Sequence, residues 1–429
     1  MKYSLTRTIV IAVALALGVA ACGAEDSATT TTAPAESTTT AAGATTTAAG
    51  ATTTAGGENT ATGDPIVFGM IEDTSGGASA YSLVQSIGIE LAIDEINAAG
   101  GILGRPVELI RENDQNESSQ TPTLTRRLIE QGAHVILMNS GSASAIAAKP
   151  VCQEGIVCLA PGNVSPGIVT PPDADFSYTI APPSTAMGAA YAGGMPAAGV
   201  QRLALISDDS PTMEGFNDFF VPIVEEAGIE IVALEIVPLN ASDASAQIAR
   251  IADTDPDALM VSSLGGQTEI LMHSTAALQM PDVPRYTIAS IGNQPESWSL
   301  ASPGVLEGTV FLGTIDSTNP RTQQLEQKLM DRLGDDFVAT TGYHAQGYTS
   351  IQILKLAIEN AGGTDDLVAI NDAFEAITDF SPYYGQEQFT LSFGPDKHAG
   401  ADGDCGIVLA VFGADNQPAG PWDVFQTSC

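Results

Sequence analysis

Ser142 stands directly behind Gly141, an arrangement that raises the question of nucleophilic catalysis. A serine nucleophile needs a base within hydrogen-bond reach and usually a strained glycine elbow. The pattern G-x-S-x-G does not occur, and the four histidines, His134, His273, His344 and His398, are scattered along the chain. His134 opens a strand pattern and His344 lies near a helix start, both places that suit structural roles. Glu72/Asp73 and Asp208/Asp209 set carboxylates side by side, as an acid/base couple needs. Neighbours on an extended chain point to opposite sides, so each pair makes a poor dyad. No P-loop is present and no G-x-G-x-x-G follows a strand; Gly100-Gly101 and Gly265-Gly266 read as helix-end and loop glycines. The cysteines form no C-x-x-C pair, so no metal centre is expected either. The sequence assigns no catalytic residue, no metal and no cofactor, and the chain is not read as an enzyme.

What it offers instead is a set of polar loops at the ends of buried strands. Ile66 to Ile71 is a β-branched apolar run, followed by the glycine-bearing loop Glu72–Ala80 and a helical period on Leu83, Ile87, Leu91, Ile93 and Ile96. Val107 to Ile110 is a second strand, which makes a strand–helix–strand unit and hence a parallel sheet covered by helices. Thr123–Gly132 reads as a helix. Val135–Met138 is a strand that runs into Asn139-Ser140-Gly141-Ser142-Ala143-Ser144. Ala145–Gln153 is a helix, and Ile156–Leu159 is a strand that runs into Ala160-Pro161-Gly162-Asn163-Val164-Ser165-Pro166. In such sheets ligands sit beyond the carboxyl ends of the strands. Glycine admits close backbone approach, and Ser and Asn supply donors and acceptors. The same residue types also dominate ordinary turns. Three such loops on one sheet edge favour a ligand site.

The pattern then restarts. Leu203–Ile206, Ile229–Val237, Ala258–Val261 and Tyr286–Ala289 read as strands separated by helices at Gly215–Ala227, Ala244–Asp253 and Gln267–Met280. Their ends again carry polar loops: Ser207-Asp208-Asp209-Ser210, Ser262-Ser263-Leu264-Gly265-Gly266, and Gly292-Asn293. Arg321–Leu333 and Tyr343–Ala361 are long helices, and Gly406–Phe425 reads as β structure.

Composition narrows the partners. The chain has 429 residues, enough for two domains, with 15 Lys+Arg against 51 Asp+Glu and a formal charge of −36. Such acidity excludes phosphate-binding surfaces, hence nucleic acid, and docking on anionic lipid by charge alone. Lys2 and Arg7 precede an apolar run, Ile9–Ala20, too short to span a bilayer but of signal-peptide length. Val19-Ala20-Ala21-Cys22 resembles a lipobox, so residues 1–22 read as a lipoprotein signal and Cys22 as the lipid-modified residue. Residues 23–63 are Thr/Ala/Gly-rich, with a seven-residue repeat that has no large apolar residue to form a seam. They read as a tether with a reach of roughly 35 Å. Cys152, Cys158, Cys405 and Cys429 remain, an even number suited to an oxidising compartment. They allow three pairings; Cys152–Cys158 and Cys405–Cys429 are favoured.

Ala92-Ile93-Asp94-Glu95-Ile96-Asn97-Ala98-Ala99-Gly100-Gly101-Ile102-Leu103-Gly104-Arg105 resembles the signature of the type I periplasmic binding proteins, in the branch of the leucine/isoleucine/valine-binding protein. The resemblance extends over Ile66–Phe412. It implies an α/β fold of two Rossmann-like lobes with parallel sheets, joined by three crossover strands near Tyr178–Pro183, Gly308–Leu312 and Tyr383–Phe393. Lobe one is then 64–181 with 312–382, and lobe two 182–311 with 383–429. It further implies a monomer that captures a small ligand by hinge closure and delivers it to the permease and ATPase of an ABC importer, outside the cytoplasm. A sensor ectodomain that reports occupancy to a membrane signalling partner is the alternative. By the same resemblance, Tyr81 covers the ligand, Ser140, Gly141 and Ser142 grip its carboxylate, and Gly162 and Asn163 stand in a turn where the family has a threonine. In lobe two, Asp209, Thr212, Glu214, Gly265 and Asn293 occupy ligand-facing stretches. The tyrosine expected near Thr212–Gly215 and the acid expected near Ser290–Asn293 are missing there. A buried ammonium without a carboxylate partner costs several kcal/mol. The sequence therefore admits an amide or organic acid as readily as an amino acid, unless Asp208, Asp209 or Glu214 substitutes.

Overall fold

The structure is a computed structural model that describes residues 61–264 and 266–429. The signal segment, Cys22, nearly all of the tether and Gly265 lie outside these residues. Ahead of Asp64, the Thr62 and Gly63 amides both donate to the Gly104 carbonyl.

Two sheets account for the architecture. The first is built from β1 (Ile66–Glu72), α1 (Ser79–Ala98), β2 (Val107–Asn113), α2 (Thr121–Glu130), β3 (Val135–Asn139), α3 (Ser142–Cys152), β4 (Cys158–Ala160) and β5 (Ser177–Thr179). Its five strands are all parallel, in the order β2-β1-β3-β4-β5. Strands buried on both faces need continuous apolar runs, and β3 is buried at every position. Along β1, Phe68 and Met70 enter one core with α1, while Ile71 enters the opposite core with α2 and α3.

The second sheet follows α4 (Ser184–Ala197). It contains β6 (Arg202–Asp208), α5 (Pro211–Glu226), β7 (Glu230–Val237), α6 (Ser245–Ala252), β8 (Ala258–Ser262), α7 (Gly266–Gln279) and β9 (Arg285–Thr287). After the short α8 (Ala289–Gly292) and α9 (Pro295–Trp298) comes β10 (Val310–Gly313). The chain returns to the first core through α10 (Pro320–Leu333), α11 (Gly342–Ala361) and α12 (Leu367–Glu375), whose Leu325, Leu354 and Phe374 pack with α1 and β1. β11 (Val408–Phe412) and β12 (Pro418–Pro421) then complete the second sheet, in the order β12-β11-β10-β9-β8-β6-β7, with antiparallel pairing only at the β12-β11-β10 end.

Three features depart from the sequence reading. α4 has no counterpart there. Its sequence is small on every side, because Gly188 packs against Ile223, and Gly194 against Trp422 and Leu409, leaving no polar stripe to give a period. Helix α3 begins at Ser142 and α5 at Pro211, so Ser142, Thr212 and Glu214 sit in first turns and not in loops. The segment Tyr383–Phe393 forms no strand. It makes single bridges, among them Ile315↔Gly385 and Phe380↔Leu391, and its Tyr384, Phe389, Leu391 and Phe393 belong to the first core together with Cys405. The last passage into the second sheet therefore comes after Cys405. Cys152–Cys158 joins the end of α3 to β4, with Cα atoms 5.9 Å apart, and Cys405–Cys429 ties the C-terminus to the entry of β11, with Cα atoms 4.7 Å apart.

Candidate functional site

Both sheets reverse direction at one point. In the first, the chain leaves β1 for β2 on one side and reaches β3 on the other. In the second, β7 and β8 flank β6. Loops beyond such a pair of strands separate and leave a crevice. The loops after β1, β3 and β8 and the start of α5 all line one cavity of about 480 Å³, which receives Tyr81 and Gly141–Ala143 from the first lobe and Thr212, Met213, Phe216 and Leu264 from the second.

Three buried carboxylates at strand ends hold these loops. Asp73, after β1, accepts the Ser75 and Gly76 amides on Oδ1 and the Ala78 amide on Oδ2. Asp114, after β2, accepts the Asn116 amide and Ser140 Oγ on Oδ1, and Thr121 Oγ1 on Oδ2. Asp208 ends β6; it accepts the Ser210 amide on Oδ1, and Ser263 Oγ and the Leu264 amide on Oδ2. Asp208 thereby joins the start of α5 to the loop after β8. Ser210 Oγ accepts the Met213 amide and caps α5, but α3 has no side-chain cap. Ser142 and Ala143, at the uncapped start of α3, line the cavity, a favourable place for a carbonyl or carboxylate oxygen.

On the first-lobe wall Tyr81 Oη and Asn163 Nδ2 both donate to the Ser140 carbonyl, the latter at 2.6 Å. Burial drives the Tyr81 phenol well above its ordinary pKa, helped by Tyr343, whose ring lies 5.2 Å away. Tyr343 shifts upward for the same reason, with the Glu269 charge adding to it. Tyr81 and Tyr343 therefore stay neutral hydroxyls. On the opposite wall Asn293 accepts the Gly342 amide at 2.7 Å and donates to the Ala289 carbonyl. Behind Ser290 lies Glu269, fully buried, which accepts Ser290 Oγ at 2.8 Å and Thr287 Oγ1. Burial raises its pKa to about 8, against the opposing pull of those two hydroxyls.

Among the residues singled out by sequence, Tyr81, Gly141, Ser142, Gly162, Asn163, Thr212 and Asn293 line the cavity. Ser140 lies behind the wall, where its carbonyl holds Tyr81 and Asn163. Glu214 is exposed on α5, and Asp209 accepts the Leu239 amide on the surface; neither lines the cavity. Gly265 lies outside the described residues. The sequence did not signal Asn116, Ser184, Phe216, Phe219, Tyr343 or Gln346, which also line it. Asn116 shows in hindsight as an amide beyond β2. Phe216 and Phe219 read as core residues of α5, since apolar helix residues carry no mark of facing a ligand. Among the described lining residues none is charged. No histidine lines the cavity: His134 Nδ1 meets the Val67 backbone, and His344 closes a capping box with Thr341, where burial lowers its pKa to about 4.

Residues 65–408, most of the chain, match the family model described as periplasmic binding protein. The protein is 23% identical over 314 residues to the Leu/Ile/Val-binding protein BraC3 of Rhizobium johnstonii, covering 72% of this chain and 83% of the relative. It is 24% identical over 344 residues to the Leu/Ile/Val-binding protein homolog 2 of Brucella abortus, covering 77% and 87%. Solved structures with the same fold include a type 1 periplasmic binding protein of Bordetella pertussis Tohama I, with a TM-score of 0.72 at 20% identity over 82% of this chain and 97% of that one. Another is the branched-chain amino acid transporter substrate binding protein LivJ of Streptococcus pneumoniae with isoleucine, with a TM-score of 0.71 at 18% identity over 83% and 98%. With two doubly wound lobes, a cavity at their paired switch points and a family match along most of its length, the chain belongs to the type I periplasmic binding proteins of the Leu/Ile/Val-binding family.

Proposed function

We propose that the protein is an extracytoplasmic solute-binding protein, anchored by lipid at Cys22, that closes its two lobes on a small ligand and delivers it to an ABC permease. The observation that carries this reading is the uncharged cavity of about 480 Å³ lined from both sheets. Its size suits one small metabolite, and Ile146, Met213, Phe216 and Phe219 give it an apolar body. The polar head meets the α3 first turn at Gly141 and Ser142, with Gly162, Asn163, Thr212 and Asn293 around it and Tyr81 over it. The relatives named for leucine, isoleucine and valine support an apolar ligand of this size. Closure turns about the three passages between the sheets, near Ala181, Gly313 and Gly406, and the ligand's higher affinity for the closed form drives it.

A thermal-shift screen of amino acids, amides and organic acids tests capture; a true ligand raises the melting temperature in a saturable way. Small-angle scattering then tests closure, and an unchanged radius of gyration at saturation would count against the hinge. Replacing Cys22 by serine is expected to move the protein from the membrane fraction to the medium.

A further inference from the structure

The cavity's inner end carries polar atoms that the fold does not satisfy. Asn163 is 3% exposed and Gln346 4% exposed; both line the cavity. Asn163 Oδ1 and Gln346 Oε1 have no hydrogen-bond partner among the described residues. The orientation of Asn163 is fixed, because its Nδ2 donates to the Ser140 carbonyl at 2.6 Å. Its Oδ1 is therefore a committed acceptor. Gln85, fully buried on α1, has both amide atoms unpaired among the described residues. The two glutamines converge over Gly162, where a Cβ would fall 2.4 Å from Gln85 Nε2 and 3.2 Å from Gln346 Oε1. Buried polar atoms in native proteins are almost always bonded, so the unpaired acceptors of the two lining residues, Asn163 Oδ1 and Gln346 Oε1, mark where a ligand supplies the partners.

We propose that Asn163 and Gln346 form a carboxamide-reading subsite, with Gln85 behind them, and that the ligand is a neutral amide with a branched or aromatic apolar body. The inference rests on the capture function proposed above and names the ligand class for that same cavity. The carbonyl of such an amide accepts from the uncapped amides at the start of α3, while its N–H groups donate to Asn163 Oδ1 and Gln346 Oε1. A carboxylate satisfies the first set but places a negative oxygen against the second. A zwitterionic amino acid adds an ammonium to a cavity with no charged residue among its described lining. Glu269, which accepts from the lining side chain of Ser290, lies behind the wall and does not itself line the cavity. A buried cation without a counter-charge is strongly disfavoured.

Calorimetry on the intact chain with 4-methylpentanamide, 4-methylpentanoate and L-leucine tests the assignment. The amide is expected to bind at least tenfold more tightly than either of the others. Gln346→Leu is expected to lower amide affinity at least tenfold while leaving that of 4-methylpentanoate within threefold. Gln346→Met serves as the second variant if leucine lowers the melting temperature of the free protein. Tighter binding of L-leucine or of 4-methylpentanoate overturns the subsite while leaving capture intact. Equal amide affinity in wild type and variant also overturns it, as does binding of none of the three. Capture itself fails only if the broad thermal-shift screen finds no ligand.

Discussion

Gly141 shows how closely single atoms set the cavity wall. A Cβ there would fall 2.2 Å from Asn116 Oδ1, so the alanine variant must push the Asn116 amide out of the wall. The backbone at Gly141 is extended, at φ −60° and ψ 156°, and carries no left-handed strain. Gly141→Ala should therefore weaken ligand binding at least tenfold in calorimetry, with a loss of no more than about 1 kcal/mol in denaturant melts. Glu269 makes a different prediction. Its folded pKa of about 8 stands above the ordinary carboxyl value of 4.5, so the native state holds the proton more tightly than the unfolded chain. That stability is fully present below pH 4.5 and is lost as pH rises through 8. At about 1.4 kcal/mol per unit, the loss between pH 5 and pH 7 is on the order of 2 kcal/mol. Glu269→Gln should flatten the fall in melting temperature over that range; parallel curves for the two proteins would refute the assignment. Ser142 and Asn163 could be read from the sequence because they follow strand ends, and Tyr81 through the family resemblance. Glu269 and Gln346 could not, because they reach the site from α7 and α11, elements whose approach only the tertiary packing creates.

Elements are fixed by clamps that cross between them. Asp208 accepts three donors, one from α5's cap residue and two from the loop after β8. Asp208→Asn keeps the shape but turns one acceptor into a donor that faces donors. The expected cost is about 2 kcal/mol in urea melts together with a lower ligand affinity, because the start of α5 and the loop after β8 both line the cavity. A variant as stable as wild type would show that the clamp adds nothing. The Cys405–Cys429 bridge closes a 24-residue separation and holds the strand pair β11–β12 at the sheet edge. Loop-closure entropy puts its contribution at about 3 kcal/mol, which the double alanine variant should lose. Strands β1, β3, β6 and β8 were legible to within two or three residues, since continuous apolar runs between polar loops have few other readings. Helix α4 was not, because its glycines and alanines answer the bulk of Ile223, Trp422 and Leu409, which the local sequence does not reveal.

The parallel α/β build of each lobe was legible in the alternation of strands and helices, and its Rossmann-like form in the family resemblance. The final crossing was not, because Tyr383–Phe393 has a strand-like aromatic spacing yet packs as irregular chain on the first core. Charge is the other property that belongs to the whole molecule. A formal charge of −36 makes the folded chain repel itself, yet the described cavity lining is uncharged. Salt must therefore act on the two properties differently. Raising ionic strength from 0.01 M to 0.15 M shortens the screening length from about 30 Å to about 8 Å, which relieves repulsion across the whole fold. The melting temperature should rise by several degrees over that range. The affinity for a neutral ligand should change less than twofold, because no ligand charge meets the field. An anionic ligand would bind more tightly as salt rises and a cationic one more weakly. Calorimetry along a salt series with the ligand found by screening therefore reads the ligand's charge class directly, and a slope in either direction would contradict a neutral occupant.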